Sequence, residues 1–166
     1  MSRGFVKEDD QEEAPFIPPR AALPAGEINY VTPNGYQKLL NERDSIENKL
    51  SHLDIEDEKE KRHQRAILTG SLNLLNERIV SSRILQLEEQ AQDEVRFGAT
   101  VTFKLEGKPA QKFQLVGVDE ADIKQNKIAF VAPISRGLTG KKVGDSTVVF
   151  IGGKNQQIEI LDISYS

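Results

Sequence analysis

At 166 residues, 37% of them hydrophobic and 29% charged, the chain has room for one domain or two small ones, and no run of about eighteen apolar residues offers a membrane span. A formal net charge of −4 excludes the global basic face that holds a long duplex through counterion release. With no cysteine and only two histidines, His52 and His63, disulfide staples, thiolate nucleophiles and ordinary structural zinc sites are also excluded.

The first residues are acidic and lack the positive, apolar, then small order of a secretory signal, so a cytoplasmic protein is expected. Residues 1–29 carry Glu8, Asp9, Asp10, Glu12 and Glu13, then Pro15, Pro18, Pro19 and Pro24. With few large apolar side chains, this stretch predicts a flexible or extended arm. Thr32-Pro33 is a helix start, because a threonine oxygen caps free amides and proline at the first helical position loses no hydrogen bond. Tyr36, Leu39, Arg43, Ile46, Leu50 and Leu53 then recur on three- and four-residue steps, a heptad seam with one charged position.

The pattern returns as Leu68, Leu72, Leu75 and Ile79, with Val80, Ile84 and Leu87 after a shift of the stripe. Between the two lies a charged knot, DIEDEKEKRHQR, and facing the stripes antiparallel puts its midpoint near Glu60 and Lys61. Residues 30–90 therefore predict an antiparallel helical hairpin; one long helix that dimerises as a coiled coil is the alternative. Gly70, inside the returning helix, leaves room for close approach or fraying.

After Glu94 the period becomes twofold. Val101, Phe103 and Leu105 make one strand, Phe113 to Val118 a second and Ile128 to Val131 a third. Pro133 to Leu138 suits a short helix stopped by Gly140. A strand over Val148 to Phe150, broken by Gly152-Gly153, and a last one over Ile158 to Tyr165 complete an antiparallel sheet with one helix, residues 95–166. The fold class is α+β.

The knot carries the chemistry. Asp54, Glu56, Asp57, Glu58 and Glu60 are hard oxygen donors, and magnesium takes one or two protein carboxylates with water or phosphate completing its shell. Asp57 and Glu60, three apart, share one side of a helical turn. A solvated, salt-bridged helix end accounts for the same charges.

Residues 119–145, DEADIKQNKIAFVAPISRGLTGKKVGD, resemble the C-terminal domain of the Gre family of bacterial transcript-cleavage factors. That family has a similar DEAD-x-K-Q-N run followed by a proline, an arginine, a leucine and a Gly-Lys. Residues 30–39, YVTPNGYQKL, resemble the family's opening segment. Glu77-Arg78-Ile79 resembles the Gly-Arg-Ile of its returning helix, with glutamate in place of glycine.

The resemblance implies an FKBP-like domain that docks on RNA polymerase at the secondary channel through Pro133, Ile134, Arg136 and Leu138. It implies tip carboxylates, here Asp57 and Glu60, that share a magnesium ion with the polymerase when it cuts its own backtracked RNA, near the nascent 3′ end. Arg62 and Arg65 are then the residues to meet RNA phosphates. No cofactor of its own, no intrinsic active site and no membrane partner follow from it. The glycine, leucine, asparagine and tyrosine of the family's tip are absent, which keeps open a channel-occupying modulator that does not cleave. An FKBP-like prolyl isomerase or chaperone with a coiled-coil arm is the reading from another class.

Overall fold

The computed structural model describes residues 14–165. Helix α1 runs over Pro33–Ser51. Its start obeys the local chemistry: Thr32 is the extended N-cap, its hydroxyl oxygen accepts from the Gly35 amide at 2.9 Å, and Pro33 occupies the first turn. Helix α2 covers Glu58–Ser81, capped by Asp57, and packs on α1. Leu39 and Leu75 are buried between them with Val31, while Tyr36, Ile46 and Ile79 close over that small core.

Two boundaries differ from the sequence expectation. The connection occupies residues 52–57, so Glu60 and Lys61 lie in the first turn of α2 rather than at the midpoint of the turn. Acidic side chains are favoured at a helix N-terminus, where the amide dipoles point outward, and the knot is therefore a helix start. Helix α2 also stops at Ser81 instead of continuing toward Leu87. There Ser82–Ile84 becomes a short strand, β2, parallel to β1 at Asn29–Val31, with Tyr30 opposite Arg83. Asn29 supports the exchange, donating through Nδ2 to the Arg78 carbonyl at 3.0 Å and to Ser81 Oγ at 3.1 Å.

The remaining strands form one five-stranded sheet: β3 (Thr100–Leu105), β4 (Ala110–Val116), β5 (Lys127–Ala129), β6 (Ser146–Ile151) and β7 (Lys154–Ser164), in the order β5-β4-β3-β7-β6. Alternation places Val101, Phe103, Leu115, Ile158 and Ile160 in its core. A short helix, α3, at Pro133–Leu138 packs on β6 and buries Leu138 in that core. The expectation of a wholly antiparallel sheet is corrected at one pair. β4 and β5 run parallel, because the chain leaves Val116, crosses through residues 117–126 and re-enters in the same direction.

Of the two forms expected for the arm, flexible or extended, residues 14–24 carry no helix or strand and are held in place. Arg20 is anchored by Glu42 and Asp119, so residues 17–21 lie fastened along the helix pair rather than loose. The acidic residues Glu8 to Glu13 lie outside the described residues.

Candidate functional site

The tip is built by a cap. Asp57 takes an extended backbone, φ −71° and ψ 118°, and its Oδ2 accepts from the Glu60 amide at 2.9 Å. That bond satisfies one of the free amides of α2 and fixes the carboxylate of one expected site residue directly above the backbone of the other. Both side chains are exposed. Glu60 Oε1 accepts from Gln64 Nε2 at 3.2 Å, one turn on, and Glu60 lines an open cleft of about 690 Å³ together with His52, Asp54, Ile55 and Leu68.

Arg62 and Arg65 follow on the next turn and are exposed. The spacing seen in the sequence thus brings Asp57 and Glu60 together, with two guanidiniums on the same helix. Among the described residues no group of three or more His, Asp or Glu side chains is arranged to hold a metal ion. Two hard carboxylates alone suit an ion whose other ligands come from elsewhere.

The expected docking residues separate into two kinds. Pro133 begins α3 and is exposed, and Arg136 is exposed with Nη2 on Glu27 Oε1 at 2.9 Å and Nε on the Val131 carbonyl at 2.9 Å. Ile134 is half-buried against the sheet core, and Leu138 is 0% exposed. Leu138 is therefore corrected from a partner contact to a core side chain: the short helix turns it inward under Val149 and the sheet.

Beside Pro133 and Ile134 opens an apolar cleft of about 370 Å³, with Phe113, Ile123 and Phe150 among its lining residues. Phe150, 64% exposed, and Ile123 were missed as surface residues. Strand alternation predicts which residues share a face, but not that this end of the face is left uncovered.

What aims the tip is a joint between the helix pair and the sheet. The aromatic rings of Tyr30, Phe97 and Phe130 meet with centroids 5.4 to 5.8 Å apart. Two adjacent acids of the DEAD run complete it. Asp119 accepts from Arg20 Nε at 3.0 Å and from Arg78 Nη1 at 2.8 Å. Buried Glu120 accepts from Thr32, from Asn34 Nδ2 at 2.9 Å and from Lys127 Nζ at 3.1 Å. Burial alone pushes the Glu120 carboxyl up; the three hydrogen bonds and the Lys127 charge outweigh it and hold the pKa below the usual value. The sequence offered these acids only as part of a resemblance. Their signal was an acidic pair directly after an apolar strand.

Known proteins extend this picture. The family model described as transcription elongation factor, GreA/GreB, C-term, matches residues 89–165. The chain is 28% identical over 151 residues to the transcription elongation factor GreA of Thermodesulfovibrio yellowstonii, spanning 81% of this chain and 96% of that protein. It is 30% identical over 105 residues to GreA of Hyphomonas neptunium, spanning 63% of this chain and 67% of that one. A solved GreA/GreB elongation factor from Nitrosomonas europaea aligns over 82% of this chain and 98% of its own at 18% identity, with a TM-score of 0.40. With its sheet domain inside the family model and the two GreA proteins matched over 96% and 67% of their own lengths, the chain belongs to the GreA/GreB family of transcription elongation factors.

Proposed function

We propose that this chain binds bacterial RNA polymerase at the secondary channel and stimulates the polymerase's own cleavage of backtracked RNA. In this reading the sheet domain is FKBP-like and docks through Pro133 and Arg136, with the apolar cleft beside Ile134. The helix pair is an antiparallel coiled-coil hairpin that carries its connection into the channel. The active site belongs to the polymerase, and the protein works in the cytoplasm.

The observation that carries the reading is the placement of Asp57 and Glu60: adjacent, exposed, and on the loop side of the helix pair, away from the Tyr30 joint. A magnesium ion held jointly by these carboxylates and the polymerase would neutralise charge and activate water at the RNA phosphate. The chain's own residues prepare that encounter. Capping locks the Asp57 rotamer, Gln64 orients Glu60, and Arg62 and Arg65 lie one turn on, where RNA phosphates would meet them.

Purified, deliberately backtracked elongation complexes from the source organism test this. Magnesium-dependent shortening of the RNA by the wild-type chain, lost in Asp57→Ala/Glu60→Ala, supports it; no binding to the complex sinks it. A second reading keeps the docking without cleavage. It is favoured by the commitment of Asp57 Oδ2 to its own helix and by the turn of Glu60 toward the loop cleft. Binding without shortening selects it.

A further inference from the structure

The arm makes contacts that the proposed function does not use. Arg20 is mostly buried, with 18% of its side chain exposed, and reaches two parts of the molecule at once. Its terminal nitrogens clamp both oxygens of Glu42 on α1, at 2.5 and 3.1 Å, while Nε donates to Asp119 on the sheet domain. A bidentate guanidinium pair is directional, so it resists rotation as well as separation. One residue on, the Ala21 carbonyl accepts from Arg78 Nη2 of α2, whose other terminal nitrogen is already on Asp119. Both oxygens of Asp119 are thus shared between an arginine of the arm and an arginine of a helix.

Gly70 supplies the second anchor. A Cβ built there would stand 2.6 Å from Ile17 Cδ1 and 2.9 Å from Cγ1, so the Ile17 side chain fills the space that the glycine leaves on α2. Glycine in a helix interior is unfavourable by about 1 kcal/mol relative to alanine, and here the vacancy has an occupant. Between the two anchors, Pro18 and Pro19 restrict the backbone before docking, which lowers the entropy lost when the segment orders.

We propose that Ile17–Ala21 is an intramolecular strap that holds the helix pair at one angle to the sheet domain. Arg20 ties α1 to the sheet, Ala21 ties the strap to α2, and Ile17 keys it into the notch at Gly70. Rotation of the helix pair about the Tyr30 joint would break Arg20 from Glu42 or from Asp119. The strap therefore braces the joint that sets where residues 52–57 point, whatever they meet.

The chain has no cysteine, so spin labels can be placed at will on the full-length protein. Labels at exposed Asn73 (Asn73→Cys) and Lys104 (Lys104→Cys) read the angle between α2 and the sheet. Labels at Ala14 (Ala14→Cys) and Asn73 read whether the strap is seated. Both pairs are expected to give one narrow distance peak in the otherwise unmodified chain, and both peaks are expected to be lost in Arg20→Ala and in Gly70→Val, with helix content unchanged by circular dichroism. A strap peak that broadens while the Asn73–Lys104 peak stays narrow overturns the proposal, because the arm is then a passenger. A broad strap peak in the unmodified chain overturns it as well, as does a narrow strap peak in both variants.

Discussion

The Thr32 hydroxyl donates to Glu120 Oε1 at 2.5 Å while its oxygen accepts from the Gly35 amide, so one side chain both caps α1 and fastens that helix to the sheet domain. The helix start and the joint are a single hydrogen-bonded unit. Disturbing either partner is expected to affect both.

Glu120 should therefore make stability depend on acid pH. Its folded-state pKa lies below the unfolded value, so its contribution is present in full above the unfolded carboxylate pKa and is lost as pH falls through the folded one. Glu120→Gln is expected to flatten that acid limb in denaturation curves taken at several pH values. Glu120→Ala should cost roughly 2–3 kcal/mol at neutral pH, since it strands the buried Thr32 hydroxyl and the mostly buried Lys127 ammonium beside a cavity. An acid limb unchanged in the glutamine variant would refute the assignment.

Close approach at the joint makes Gly117 intolerant of a side chain. A Cβ there would stand 2.5 Å from the Tyr30 carbonyl oxygen, a backbone atom that cannot swing aside. Gly117→Ala is expected to lower stability by about 1–3 kcal/mol through forced backbone displacement. Faster amide exchange at Leu85, whose N–H is bonded to the Val31 carbonyl, would show that the strain reaches β1.

At the tip, capping and charge can be separated. Asp57→Ala removes the cap of α2 and should cost about 1 kcal/mol, whereas Asp57→Asn keeps a capping oxygen and removes the negative charge. If the carboxylate serves RNA cleavage, Asp57→Asn loses cleavage while thermal denaturation stays near wild type. Retained cleavage in Asp57→Asn would show that the side chain acts only on its own helix.

The two kinds of residue in α3 should part in the same way. Leu138→Ala is expected to destabilise by roughly 2–5 kcal/mol, as a fully buried leucine truncated in a close-packed core. Arg136→Ala removes an exposed pair with Glu27 and an exposed hydrogen bond to the Val131 carbonyl, and its effect on stability should stay within about 1 kcal/mol. Polymerase binding by Arg136→Ala, measured against a chain of unchanged melting temperature, then reports docking alone.

Much of this architecture was legible because it is local. Thr32-Pro33 announces a cap three residues before the amide it bonds, alternation over Val101, Phe103 and Leu105 marks a buried strand face, and Pro133 with Gly140 brackets a short helix. The proximity of Asp57 and Glu60 was legible for the same reason, since three residues span less than one helical turn. The charges themselves misplaced the turn: solvated acids suit a loop and a helix start equally, and only the cap made by Asp57 distinguishes them.

What the chain alone specified was periodicity, and periodicity says which side chains seek burial without naming their partners. The parallel entry of β5 beside β4, the inward turn of Leu138, the exposed end of the face at Phe150 and the seating of Ile17 at Gly70 are matters of partner. So is the joint, where Arg20 finds Asp119 across 99 residues and Thr32 finds Glu120 across 88. Contacts at such separations carry no local signature, because either residue by itself is an ordinary polar surface residue until the tertiary fold removes its water and supplies the opposite group.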